Sequence, residues 1–240
     1  MKMVFNKFNK NKKGVKAMKR LILIIGLLFI VLSVPIFSEA TPVDINNPGF
    51  ENPILGEHTW TSNAGITGWT TSGDAGVWNP HPTLDNVYFS NVIQGNNVGI
   101  QGNNVAYTNG PSISQTIDNY FLIPNTQLTL SVDVGWRLDL DMDMPGYAIQ
   151  LWAGDTLLSS EFSTSLLKGG FVTSELSYIV KDSDLSLGPL AIVLLKTEGT
   201  QVNFDNVRLD GPAPVPEPST LLLLGSGLVG FGYFIRRRKG

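Results

Sequence analysis

Tryptophans in loop-like sequence can stack a sugar ring, and the chain has two that qualify. Trp60 and Trp78 lie in such stretches, and Asn79, His81 and Asp85 follow Trp78 closely. Sugar C–H faces stack on exposed rings while amides and carboxylates take the hydroxyls, so these two are the candidate ligand-binding residues. Trp69 sits in a Gly-Trp pair and is expected to pack. Trp136 and Trp152 fall on alternating stretches and are read as core. Asp139, Asp141 and Asp143 begin like a calcium loop, but Met144 stands where that loop needs glycine and Gln150 where it needs a bidentate glutamate. They are read as an acidic hairpin loop.

Other chemistries find little material. The chain has no cysteine and two histidines, His58 and His81, which excludes disulfides and thiolate metal sites and leaves little for a histidine-based one. It has no Gly-x-Ser-x-Gly elbow, no histidine-rich metal motif and no phosphate loop. No spacing among the acids selects a carboxylate pair for glycoside hydrolysis. Thr59, Thr61, Thr67, Thr70 and Thr71 cluster without the regular repeat that an ice-binding array would need. No catalytic residues are assigned, and the expectation is a domain that is not an enzyme.

The elements that must position these residues are strands. Leu128, Leu130, Val132, Val134 and Trp136 alternate with Thr129, Ser131, Asp133 and Gly135, a period of two. Tyr147, Ile149 and Leu151 repeat the pattern, as do Leu190, Ile192 and Leu194. Phe171, Thr173, Tyr178 and Val180 suggest a further strand, and Val202, Phe204, Val207 and Leu209 close the series. Clusters of Gly, Asn, Pro, Asp and Ser between the runs read as turns. The pattern predicts an all-β, jelly-roll-like β-sandwich over residues 41–211.

That domain is flanked by two apolar stretches with cationic borders. Residues 1–20 carry eight cations and no acid, and residues 21–37 are almost entirely apolar. Ser38-Glu39-Ala40 supplies small residues at the exit, so residues 1–40 read as a signal peptide with a long basic start, cut after Ala40. Translation from Met18 would give a signal of more usual length. At the other end, residues 212–218 form a proline-rich spacer that neither helix nor central strand accommodates. Residues 219–235 carry no charge and would span about 26 Å as a helix, close to a hydrocarbon core of about 30 Å. A single transmembrane helix is therefore expected, with residues 236–240 as its basic cytoplasmic end and the domain outside the membrane. Residues 41–211 hold 18 acids against five cations, which argues against a nucleic-acid partner.

The tail resembles the PEP-CTERM sorting signal of exopolysaccharide-producing bacteria. Val215, Pro216, Glu217 and Pro218 match its motif, the apolar stretch its single span, and Arg236, Arg237, Arg238 and Lys239 its basic end. The resemblance implies an exosortase-type membrane enzyme as partner. It also implies a protein held at the membrane and then processed to the cell surface or matrix, in contact with exopolysaccharide. A second resemblance lies at the ends of the β domain. Asn46-Asn47-Pro48-Gly49-Phe50-Glu51 with Gly68-Trp69 is similar to the opening of galactose-binding-like jelly rolls, which include carbohydrate-binding modules. Asn203-Phe204-Asp205-Asn206-Val207-Arg208-Leu209 is similar to their closing strand. First and last strands are neighbours in that fold, which implies that Glu51 and Asp205 share a structural Ca²⁺ as hard oxygen ligands. The expected role is glycan binding in the matrix, with a structural matrix or floc protein, or a matrix-polymer hydrolase, as the alternatives.

Overall fold

A computed structural model describes residues 40–61, 65–80, 88–89, 100–139 and 143–212, with Gly225 besides. Residues 1–39 of the expected signal peptide, the sorting motif at 215–218 and the basic end at 236–239 lie outside the described residues; Ala40, at the expected cut, is described and pairs with Pro212. No helix among the described residues is long and apolar enough to cross a membrane.

The domain is an all-β sandwich of two antiparallel sheets, as the alternation predicts. Its strands are β1 (Ala40–Pro42), β2 (Thr70–Ser72), β3 (Ala75–Trp78), β4 (Val105–Thr108), β5 (Ser112–Ile117), β6 (Gln127–Gly135), β7 (Tyr147–Ala153), β8 (Thr156–Ser163), β9 (Phe171–Ile179), β10 (Leu190–Lys196) and β11 (Val202–Pro212). The first sheet runs β3-β4-β11-β6-β9, with β1 also paired to β11; the second runs β2-β5-β10-β7-β8.

The period of two explains what each sheet buries. Leu128, Leu130, Val132 and Val134 of β6 face Ile149 and Leu151 of β7 and Leu190, Ile192 and Leu194 of β10 in one core, all with no exposed surface. On β11 the inward residues are Val202 and Phe204, then Val207 and Leu209. The alternation slips by one because a bulge lies between Asp205 and Arg208, where Asn206 takes a positive φ of 50°. Ahead of the bulge, Asn203 and Asp205 alternate with inward Val202 and Phe204 and so are aimed at the outer face of the first sheet, where the functional residues gather.

Trp136 and Trp152, expected in the core, are half-buried. Trp136 packs against the core margin. Trp152 lies opposite Ala191, away from the inward Leu151–Ile192 pair, so it stands on the outer face of the second sheet. Its Nε1 donates to Gln150 Oε1 at 2.8 Å.

Candidate functional site

The segment leading into the sandwich is folded by its own polar side chains. Asn47 donates through Nδ2 to the carbonyls of Asn52 (2.8 Å) and Thr67 (3.0 Å), and its Oδ1 accepts from the Asn52 amide. Trp69 donates to the Asn47 carbonyl, and its ring packs 5.2 Å from fully buried Phe50. Gly68 has a φ of +81°, and a Cβ there would come within 2.7 Å of the Asn46 side chain. These contacts account for the Asn-Asn-Pro-Gly-Phe-Glu and Gly-Trp motifs. Together they hold Glu51 over the outer face of the first sheet.

Asp205 awaits it there. Its Oδ2 accepts from the Gln101 amide and its Oδ1 from the Asn206 amide, both at 2.6 Å. Glu51 Oε1 accepts from the amides of Asn103 (3.0 Å) and Asn104 (2.8 Å). A Cβ placed on Gly49 would lie 3.8 Å from Asp205 Oδ1 and 3.9 Å from Glu51 Cγ, so the two side chains converge beside one backbone position. At Gly102 (φ +92°) the loop presses against the Glu51 carboxylate, where a Cβ would come within 2.6 Å. Burial pushes Asp205 well above the usual carboxylate range, and the charges of Glu51 and Asp133 push the same way. Burial also raises Glu51, against its two backbone hydrogen bonds. The side-chain oxygen of Asn104 is buried nearby with no hydrogen-bond partner. Two crowded carboxylates, an orphaned amide oxygen and backbone carbonyls such as that of Gln101 are a donor set that fits a hard divalent cation. No group of three acidic, histidine or cysteine side chains among the described residues could hold a metal, so carbonyl oxygens must complete such a shell.

Asp133 extends this polar strip. It pairs in register with Asp205 across β6 and β11, and neither has exposed surface. Asp133 accepts from Thr173 Oγ1 at 2.7 Å and from Asn206 Nδ2 at 2.9 Å, and Arg208 approaches it at 3.9 Å.

Further along the same face lies a second, largely buried aromatic cluster. Trp78 of β3, Tyr107 of β4, Phe89, Ile100 and Val105 form it, with half-buried Tyr88 and Phe171 against it. Trp78 meets Tyr88 edge-on at 4.8 Å, and Phe89 lies 4.8 Å from Phe171. Phe171 can lie over β6 because Gly135 is opposite it; a Cβ there would come within 2.6 Å of the ring. Buried Asn203 pairs with Tyr107 across β11 and β4, buried Gln201 directly precedes β11, and Gln201 Nε2 donates to Asn203 Oδ1 at 3.3 Å. The Arg137 guanidinium stacks 4.1 Å from the Trp78 ring centre and 5.1 Å from that of Tyr88. Its Nε donates to Asp139 at 2.8 Å, its Nη2 also grips that carboxylate, and its Nη1 reaches Gln201 Oε1 at 3.4 Å.

The two tryptophans singled out in the sequence therefore part company. They share an isolated backbone bridge, but Trp60 is 63% exposed while Trp78 is 5% exposed beneath Arg137. Asn79 is buried; His81 and Asp85 lie outside the described residues. Of the acidic hairpin loop, Asp139 is tied to Arg137, and residues 140–142 are outside the described set. Arg137 and Gln201 carried no sequence signal, and Asn203 was read only as part of the closing-strand motif, because only sheet register brings the three to one place.

Residues 41–210 match a family model described as HpiC1 cyclase. Residues 214–239 match that of the PEP-CTERM protein-sorting motif, which implies an exported, membrane-anchored chain processed by an exosortase. A solved cyclase from Fischerella sp. TAU is similar at 29% identity and a TM-score of 0.61, over 74% of this chain and 100% of that one. A Stig cyclase, Fisc, from the same organism is similar at 28% and 0.60, over 73% and 100%, in complex with (3Z)-3-(1-methyl-2-pyrrolidinylidene)-3H-indole. A third structure, a cyclase bound to 4-(1H-indol-3-yl)butan-2-one, is similar at 28% and 0.61, over 73% and 100%. Carbohydrate-binding modules match at TM-scores of 0.39 and 0.43, a level that says nothing of function. No curated protein matches. The cyclase matches overturn the expectation that the domain is not an enzyme: its candidate site is built from residues scattered over strands and loops, without a contiguous catalytic motif to read.

Proposed function

Because the chain belongs to the HpiC1-like cyclase family, we propose that it is an exported cyclase-type enzyme that folds an aromatic substrate in the cleft on the outer face of the first sheet. The observation that carries this is the cluster of Trp78 and Tyr107, with partly buried Tyr88 and Phe171 packed against it, set beside the buried amides of Gln201 and Asn203. Both ligands named with the solved relatives contain an indole-type ring, and a flat ring of that size stacks well on tryptophan and tyrosine. Ring closure of a flexible arm is held back mainly by the entropy of folding it. A site that seats the ring and confines the arm can remove about 7–11 kcal/mol of such a barrier. Positive charge that develops on the arm is stabilised by the aromatic faces, by about 0.5–2 kcal/mol per good contact. Asp139, paired with Arg137 in this structure, is the carboxylate that balances that charge once the guanidinium gives way. An intramolecular closure is an isomerisation, so any proton added to start it is returned to solvent at the end.

Glu51 and Asp205, in this reading, hold a structural Ca²⁺ that ties the entry segment to β11 and so fixes the floor beside the cleft. Calcium supplies charge neutralisation there and takes no part in ring closure.

Titration of the purified protein with 4-(1H-indol-3-yl)butan-2-one, followed by tryptophan fluorescence, tests the cleft. Saturable quenching is expected, with binding weakened at least about tenfold in Tyr88→Ala. Trp78→Ala should behave alike if its melting temperature shows it folded. Absence of quenching in the wild type would sink the reading. Contact with exopolysaccharide is a separate, additional reading, favoured by the 63% exposure of Trp60. Retention on matrix polymer that Trp60→Ala leaves unchanged would remove it.

A further inference from the structure

We propose that Arg137 occupies the seat of a substrate's positive charge, so that the cleft selects aromatic ligands bearing an organic cation and Arg137 must withdraw to admit them. The inference rests on the reading of the cleft as the substrate site and narrows its substrate class. Each group around the guanidinium suits a cation. The Trp78 face lies 4.1 Å below it and the Tyr88 ring 5.1 Å away. Asp139 grips it through Nε and Nη2, and the Gln201 side-chain oxygen faces Nη1 at 3.4 Å. An aromatic wall, a carboxylate and an amide oxygen form a receptor for a protonated amine, an iminium or an amidinium. A neutral ring gains nothing from the carboxylate and, in displacing Arg137, would strip Asp139 of its partner.

Withdrawal of Arg137 leaves the sandwich intact. The ladder between β6 and β9 ends at the Gly135–Phe171 pair, two residues before Arg137. The backbone beyond is pinned independently: the Leu138 amide donates to the Tyr88 carbonyl at 2.8 Å. The side chain, 18% exposed, can therefore swing to solvent while Trp78, Tyr88 and Asp139 stay to receive another cation.

Two probes that share one ring and side-chain stem separate charge from ring: tryptamine, protonated at pH 7, and neutral 3-ethylindole, which lacks only the ammonium group. Wild-type protein should bind tryptamine more tightly. Arg137→Met, which keeps the aliphatic stem and removes the competing charge, should tighten tryptamine at least about tenfold and 3-ethylindole much less. Arg137→Lys should behave like wild type, and Asp139→Asn should erase the preference. Equal binding of both probes by wild type and Arg137→Met, or weaker tryptamine binding by a folded Arg137→Met, overturns the proposal and leaves the cleft as a neutral aromatic site. Binding of neither probe by any folded variant overturns both this inference and the cleft itself.

Discussion

Asp205 and Asp133 face one another across two central strands with no exposed surface, and Glu51 leans in from above. Arg208 reaches only Asp133, at 3.9 Å, which leaves the Glu51 and Asp205 carboxylates crowded, and this gives a sign-inverting prediction. In chelator, Glu51→Gln should be neutral or stabilising, since it removes a charge that disfavours ionised Asp205 while its amide oxygen still accepts from Asn103 and Asn104. With Ca²⁺ at a hundred times its dissociation constant, binding contributes about 2.7 kcal/mol. The wild-type melting temperature should then rise by about 5–10 °C for a domain of this size. Glu51→Gln should lose that gain. Calorimetry with calcium against chelator checks both signs, and a wild type indifferent to calcium removes the metal. Glu51 and Asp205 were legible because each belongs to a short motif at one end of the domain. Asp133 was not, for it is simply an outward residue of an alternating strand until register places it opposite Asp205. Arg137 was illegible for the same reason: its partner Trp78 stands on another strand, far away in the chain.

Between β9 and β10 the chain makes a 3₁₀ turn, Asp182–Ser186, which is fastened by one buried acid. Asp184 accepts from the Tyr178 hydroxyl at 2.6 Å and from the Lys181 amide at 2.8 Å. Burial pushes Tyr178 up to about 12, and its bond to the Asp184 carboxylate and that group's charge add to the shift. Burial alone would raise Asp184, but the bonds from Tyr178, Lys181 and Ser183 outweigh it and leave its pKa lowered. Asp184, lowered, gives stability that is present above the ordinary carboxylate value and lost as pH falls through its own pKa. Tyr178, raised, gives stability that is present below the ordinary phenol value and lost as pH rises through about 12. Tyr178→Phe should cost about 1 kcal/mol in urea unfolding. The cost should be level across neutral pH and shrink at both extremes; a cost that persists in strong acid would refute the clasp. Among the strands, β6, β7 and β10 were plain from their alternation, and β11 from two alternating pairs out of phase with each other, which is the bulge. β8 was hidden. It is an edge strand whose exposed Leu157 and Phe162 break the rule that separates faces.

Taken whole, the molecule joins a legible address to a domain whose chemistry is not written linearly. The sandwich follows from hydrophobic period, and its stability should depend on β11: Phe204→Ala, at a fully buried position, should cost about 3–5 kcal/mol in chemical unfolding. A cost below about 1 kcal/mol would mean that β11 is not central. Export should leave a chain beginning at Thr41. N-terminal sequencing checks this, and a start upstream of Ala40 would refute it. The assignment to a non-catalytic module failed at this scale. Aromatic residues in loops and acids on strands look alike whether they line a cleft or decorate a surface, and only the assembled first sheet distinguishes them.

β11 ends at Pro212, three residues before the sorting motif, and is flanked by β4 and β1 on one side and β6 on the other. Tension arriving through the tail therefore runs along the length of an interior strand. A polymer held at Trp60, which bridges to Trp78, would pull instead on β3 and β4. The load between them falls on the ladders as shear, with many hydrogen bonds strained at once, and not as peeling, which breaks them singly. The topology that gathers the cleft also suits the domain to bear force at the end of a tether.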